Sequence, residues 1–310
     1  MDGLILVHKP EGLTSHDIII RIRRILKTKK AGHFGTLDPL ATGLLLIAVG
    51  KATRLFPFYL KTAKTYEGQI RLGYSTDTYD SDGNPLSKGS DVFPDNQILE
   101  ENMRRFLGEI DQVPPPYSAK KYKGEALYKR VRMQKYYELK PAKVFIHYFN
   151  LKKYSPPLLD FEAKCSSGTY IRSLAHDLGQ NLGCGAHLTR LVRTRIGKFH
   201  IRNSHSVEEI EELYVKGKTD KFLHPIESLL SNFPSIIAKD TDVPLIENGR
   251  EFYPDSIPDF PHIESEINRE DIEKKNILRV FDAQGRLIAF ASKKTGSDSV
   301  HPFMVFKAEK

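Results

Sequence analysis

Cysteine is scarce in this chain. There are two in 310 residues, Cys165 and Cys184, and no CxxC pair. That argues against a disulfide framework and fits a reducing, cytoplasmic setting. Long apolar runs are missing too. The longest, Leu44 to Val49, is far short of the ~20 residues a spanning helix needs. The N-terminus lacks a basic stretch followed by a long apolar one, so it does not read as a secretory leader. Cofactor signatures are also absent. There is no HExxH and no Cys/His cluster with zinc spacing. Gly50-Lys51-Ala52 fails as a phosphate loop, because residue 45 is Leu and residue 52 is Ala. Asp77, Asp80 and Asp82 before Gly83 have the wrong spacing for a calcium loop and lack its last glutamate. Gly183-Cys184-Gly185 lacks the third glycine of a dinucleotide fingerprint. Nothing in the sequence demands a cofactor or a metal.

What is present points to a soluble, two-domain protein with an anionic partner. Hydrophobic residues make up 40% of the chain, enough for a full core, and the formal net charge is +8. Leu4–Val7 reads as a strand. Ser15 reads as the N-cap of a helix over 16–27 with Ile18, Ile22 and Ile25 on one side. A strand over 44–49 follows. Tyr66, Gly68, Ile70, Leu72 and Tyr74 alternate with polar residues and predict a strand. A helix near 97–107 stops at Gly108, and strands are expected over 144–151 and 158–165. In the latter, Leu159, Phe161, Ala163 and Cys165 share one face. After about residue 230, short β segments dominate: 235–238, 276–281, 287–291 and 303–306. Asp282-Ala283-Gln284-Gly285 links two of them as a hairpin. The expected division is 1–229 for the main domain and 230–310 for a small β-rich one.

Three features carry chemistry. The first is Gly32-His33-Phe34-Gly35-Thr36-Leu37-Asp38-Pro39-Leu40-Ala41-Thr42-Gly43, which holds one carboxylate in a glycine-framed turn. Pro39 biases Asp38 away from helix. An acid presented this way is a candidate nucleophile or general base. An ordinary Asp-Pro turn is the plain alternative. The second feature is the segment 117–143, with nine basic and two acidic residues and five interleaved tyrosines. Cations that neutralise phosphates and rings that stack on unpaired bases are what an RNA contact needs. Arg190, Arg193, Arg195 and Lys198 form a second basic group. Residues 251–273, with eight acids and one base, read as a solvated loop. The third feature is Arg172. If Thr169 caps the next helix, Arg172 falls in its first turn, where a cation opposes the helix dipole. A carboxylate partner would explain it. Asp38 suits, and a buried Asp–Arg pair would keep Asp38 ionised at neutral pH.

Taken together, these residues resemble the TruB family of tRNA pseudouridine synthases. The likeness runs from Lys9-Pro10-Glu11-Gly12-Leu13-Thr14-Ser15-His16-Asp17 through the Asp38 motif to Lys64-Thr65-Tyr66-Glu67-Gly68. It continues with Arg71-Leu72-Gly73 and Thr76-Asp77-Thr78-Tyr79-Asp80. Pro115-Pro116-Tyr117-Ser118-Ala119-Lys120-Lys121, Gly168-Thr169-Tyr170-Ile171-Arg172 and Gly183-Cys184-Gly185-Ala186-His187 follow in order. The resemblance implies an α+β fold: a pseudouridine-synthase core with a mixed, mainly antiparallel sheet flanked by helices, and a small PUA-like β domain. It implies isomerisation of the T-loop uridine at tRNA position 55, with no cofactor and no metal. By position, Asp38 is the nucleophile, Tyr66 stacks on the base and assists proton transfer, and Arg172 pairs with Asp38. Tyr170 lines the pocket, and His33 contacts the T-loop. Lys9 supports the active-site loop and is counted with Lys120, Lys121 and Lys123 among the substrate-binding residues. The insertion around 113–143 corresponds to a tRNA-gripping thumb. The expected partner is the tRNA T-arm, bound by a monomer without membrane, guide RNA or obligatory protein. Two rivals remain open: a hydrolytic RNA uracil glycosylase using Asp38, and a non-catalytic tRNA-binding or tRNA-folding protein. Two features depart from the family pattern. Phe34 occupies a position usually held by Thr or Gly, where a bulky ring is expected to alter how the loop meets RNA. The acidic stretch 251–273 interrupts the C-terminal domain.

Overall fold

The computed structural model describes residues 1–86, 88–118, 121–122, 125–126, 133, 139–260, 276–294 and 296–307, with backbone alone for 121–122 and 125–126. Lys120, Lys123 and the side chain of Lys121 therefore lie outside the described residues. So does the acidic stretch from 261 onward.

The first elements in chain order are β1 (Gly3–Lys9), α1 (Ser15–Ile25), β2 (Ala31–His33), β3 (Thr42–Val49), α2 (Phe56–Leu60), β4 (Lys64–Leu72), α3 (Asn96–Arg104) and β5 (Gly108–Gln112). A two-stranded ribbon, β6 (Lys121–Tyr122) and β7 (Glu125–Ala126), precedes β8 (Ala142–Ser155), β9 (Leu158–Cys165), α4 (Ile171–Asn181) and β10 (Ala186–Ile196). Next come β11 (Phe199–His200), α5 (Val207–Val215), β12 (Leu223–Pro225), β13 (Ser235–Ile237), α6 (Val243–Glu247), β14 (Ile277–Phe281), β15 (Leu287–Lys293) and β16 (Val300–Val305). The large sheet runs β12-β1-β3-β10-β4-β9-β8-β5, with β2 on β3 and β11 on β10. Only its β3–β10 pair is parallel. The second sheet runs β13-β14-β15-β16. The expected α+β class with a mixed, mainly antiparallel sheet is the observed one. Among the described residues, no helix is long and apolar enough to cross a membrane.

Strands β1 and β3 read as continuous apolar runs because both of their faces are covered. On one face Ile5, Val7, Leu45, Ile47 and Val49 pack against Ile18, Ile19 and Ile22 of α1 and Val207 and Ile210 of α5. On the other, Leu4, Leu6, Leu44 and Leu46 meet Leu55, Phe58 and Tyr59, with Ile277, Leu287, Phe290 and Phe306 from the second sheet. A third cluster, with Ile70, Leu159 and Phe161 from strands and Leu99, Leu174 and Leu178 from α3 and α4, fills the far half of the large sheet. In β9 the alternation holds as expected: Leu159, Phe161, Ala163 and Cys165 are all buried. The hairpin at Asp282 forms too. Its Oδ1 accepts from the backbone N–H of Gln284 and Arg286, and Oδ2 meets the Arg286 guanidinium at 2.6 Å.

Several expectations need correcting. The N-cap of α1 is Thr14, not Ser15. Thr14 and Asp17 form a reciprocal capping box, with Asp17 accepting from the Thr14 backbone at 2.8 Å. The N-cap of α4 is Tyr170, not Thr169, whose hydroxyl donates to Ser166 O at 2.9 Å. Gly108 opens β5 rather than only ending a helix. The long central strand β10 contains the second basic group, Arg190, Arg193 and Arg195. Register shifts at Leu188/Arg190 and Arg193/Arg195 break the alternation that would have marked it.

Candidate active site

The Asp38 loop joins β2 to β3. The hairpin registers His33 against Ile47, and the Phe34 N–H donates to Leu46 O at 2.9 Å. The loop is then held at nearly every carbonyl. Ser15 Oγ donates to Leu37 O at 3.1 Å and accepts from Leu37 N at 2.8 Å. Lys9 Nζ donates to Pro10 O at 2.8 Å, Leu13 O at 2.6 Å and Pro39 O at 3.2 Å. Arg193 reaches Gly35 O at 3.1 Å, Thr36 O at 3.2 Å and Leu44 O at 2.8 Å. Gly43 closes the loop at φ +100°, and a Cβ there would lie 2.5 Å from Arg193 O. Glycine is required at that position.

This network presents the Asp38 carboxylate outward, with its side chain 40% exposed. Arg172, buried in the first turn of α4, brings Nε to 2.9 Å from Asp38 Oδ2. The approach is an ion pair by distance, and the Nε–H is not aligned as a hydrogen bond. The expected pair thus exists, but Asp38 itself is only half-buried. Arg172 has a second carboxylate partner that sequence reading missed: its NH1 lies 3.2 Å from Asp80 Oδ2. NH1 also donates to Thr78 O and NH2 to Tyr117 O, both at 3.1 Å. In the Asp77–Gly83 turn, Asp77 and Asp80 both have partners within the protein. Asp80 faces Arg172, and Asp77 Oδ1 accepts from Asn84 N at 2.9 Å. The turn places Tyr79 at φ +66°, directly before Asp80.

Asp38 opens onto a cavity of about 340 Å³ lined by Gly35 to Leu37, Leu60, Lys64, Tyr66, Ser167 to Arg172, Leu191 and Arg193. That volume is near the lower end of small-ligand pockets. Tyr66, on β4, is buried at this pocket, in register with Arg193 of β10. Burial pushes its hydroxyl pKa upward, while the guanidinium opposes the shift. Tyr170 also lines the pocket. Its backbone is clamped by buried Gln112, which donates to Tyr170 O at 3.0 Å and accepts from Tyr170 N at 2.8 Å. Lys64 is buried, donates to Leu60 O and Thr62 O, and is pushed down to about 7 by desolvation. A larger groove of about 740 Å³ lies between Lys51, Arg54 and β16, but no acid lines it. Of these two, only the smaller pocket is lined by a carboxylate, that of Asp38.

Other sequence-predicted residues sit elsewhere. Lys9 is fully buried and spends its ammonium on three carbonyls, which braces the loop. Desolvation lowers its pKa to about 8. His33 is half-buried at the end of β2, outside the pocket lining, with its pKa lowered first by burial and then by Arg193. Phe34 does not face solvent. It stacks on Tyr59 with centroids 5.3 Å apart and meets Phe56 edge-on at 5.9 Å, so the ring is a core residue. Arg193, one of the second basic group with Arg190, Arg195 and Lys198, is 1% exposed. Its spacing of two from Leu191 on a buried face was the signal that could have found it.

Comparison with known proteins gives the family of the chain. Residues 23–171 match the model of the TruB family pseudouridylate synthase N-terminal domain, and 172–231 match that of the tRNA pseudouridylate synthase B C-terminal domain. A tRNA pseudouridine synthase B of Solibacter usitatus is 44% identical over 81% of this chain and 86% of that protein. One from Dehalococcoides mccartyi is 35% identical over 99% of this chain and 97% of that protein. Among solved structures, a Cbf5–Nop10–Gar1 complex matches with a TM-score of 0.69 and 27% identity, over 98% of this chain and 85% of that one. An H/ACA RNP bound to a substrate RNA containing 2'-deoxyuridine shares the fold, with a TM-score of 0.68 at 24% identity, over 99% of this chain and 85% of that one. The chain belongs to the TruB family of pseudouridylate synthases.

Proposed function

We propose that this protein isomerises the uridine at position 55 of the tRNA T-loop to pseudouridine, with Asp38 as the nucleophile. The observation that carries the reading is the half-exposed Asp38 carboxylate 2.9 Å from buried Arg172, at a pocket bearing the Tyr66 ring. Isomerisation breaks the bond from ribose C1' to uracil N1 and forms one from C1' to C5. The proton at C5 leaves and N1 gains one, so no co-substrate is consumed. A stacked base is out of reach, so the uridine must flip into the pocket. There Tyr66 offers a stacking face and a hydroxyl for proton transfer, and Tyr170 lines the same pocket. Asp38 supplies the nucleophile, and Arg172 fixes it in place.

The tRNA substrate is supported by the names of relatives at 35–44% identity. Those relatives are also nearer than the RNP-associated chains at 24–27%, which favours action without a guide RNA or protein partner, as a cytoplasmic monomer. Lys120, Lys121 and Lys123 would grip phosphates from the 113–143 insertion, and His33 would contact the T-loop. The chain divides near residue 230, where the second sheet begins. The test is to incubate a T-arm stem-loop with wild-type protein and Asp38→Asn and map pseudouridine chemically. Wild type should modify one uridine, and the variant should bind the RNA and modify none. Normal product from Asp38→Asn would sink the assignment.

A further inference from the structure

We propose that Arg193 is a positioning residue for the reaction, whose one guanidinium fixes both flanks of the Asp38 loop beside Tyr66. The inference rests on the roles proposed for Asp38 and Tyr66.

Arg193 lies on β10, 1% exposed. Among the described residues it is paired with no carboxylate. Its donors go to Leu44 O, Thr36 O and Gly35 O. Burying an unpaired guanidinium is costly. A core that needed only filling would use an apolar residue there. The three carbonyls bracket the Asp38 loop on both sides: Gly35 and Thr36 precede the acid, and Leu44 follows it. The backbone adds a second anchor. Arg193 registers against Gly43 in the parallel β3–β10 pair, close enough that a Cβ on Gly43 would strike its carbonyl.

The same strand sets the guanidinium beside the pocket tyrosine. Arg193 pairs in register with Tyr66 of β4, and both line the pocket. The loop that bears Asp38 and the strand that bears Tyr66 are therefore fixed against one residue. Lysine could keep the charge, but a single ammonium has three donors and no planar fork. It cannot hold both flanks of the loop as the guanidinium does.

The experiment compares wild type, Arg193→Lys and Arg193→Met in single-turnover pseudouridine formation on a T-arm stem-loop. RNA affinity and the thermal unfolding midpoint are measured on the same preparations. Arg193→Lys should lose ~100-fold in single-turnover rate while RNA Kd stays within about twofold and the protein remains folded. Arg193→Met should lose at least as much, and if it fails to fold, the lysine variant decides alone. A rate within about threefold of wild type for Arg193→Lys would overturn the proposal. So would a rate that falls only in step with affinity or folded fraction, which marks a purely structural role. Asp38→Asn is run alongside. If it retains activity, the nucleophile reading has failed; if it is inactive while Arg193→Lys is normal, only the present inference has failed.

Discussion

Lys9, Lys64, Arg172 and Arg193 are all buried, and three of the four are satisfied mainly by backbone carbonyls. Their common task is to hold the backbone around Asp38 and Tyr66. Lys64 offers a thermodynamic test of that burial. Its folded pKa is near 7, against 10.5 in an ordinary lysine. Between those values the unfolded chain carries a proton that the folded protein has released. Stability therefore rises with pH across pH 7 to 10.5 and levels off below 7, where both states carry the proton. Lys64→Met should remove that slope. The stability difference between wild type and variant should change between pH 6 and pH 10 by up to on the order of 4 kcal/mol. Urea unfolding at the two pH values measures it, and parallel curves for the two proteins would show that Lys64 keeps its charge when folded.

At the scale of elements, α1 and the Asp38 loop are one mechanical unit. Ser15 begins the helix, and its hydroxyl makes both backbone bonds of Leu37, next to Asp38. Ser15→Ala should cost about 2 kcal/mol, because it strands a buried N–H and C=O. It should also slow single turnover, because the loop loses a tether on the residue before the nucleophile. Thermal or urea unfolding with a T-arm rate assay checks both, and a variant that loses stability without losing rate would separate α1 from the site. This link also shows what the sequence could reveal. Ser15 was legible as a helix-start residue but not as a loop clamp, because its partner lies far along the chain. The runs at 44–49 and 66–72 were legible because burial imposes continuous or alternating apolarity on them. β10 was not, because two bulges and three arginines hide its phase. Asp80 was not, because a carboxylate in a polar turn looks the same whether it faces water or Arg172. Phe34 read as a loop oddity until its stack on Tyr59 placed it in the core.

At the scale of the whole molecule, the second sheet completes the core of the first. Phe58 of α2 sits 5.5 Å from Phe290 and 6.1 Å from Phe233, so the covering of β1 and β3 depends on both parts of the chain. Charge is the other whole-molecule property. The net charge is +8, and the segment 117–143 holds nine basic residues against two acidic ones. If that segment grips phosphates, replacing Lys120, Lys121 and Lys123 with alanine should lower the salt slope of RNA binding by about 2 to 3. The single-turnover rate at saturating RNA should stay near wild type. An unchanged slope, measured by filter binding from low to moderate salt, would move the RNA contact to another face.

The central claim is tested most directly by mixing the protein alone with an unmodified tRNA transcript and mapping pseudouridine at nucleotide resolution. The account predicts one pseudouridine, at position 55 of the T-loop, in RNA of unchanged mass. Release of free uracil, modification at other uridines instead, or no product until a guide RNA is supplied would contradict it.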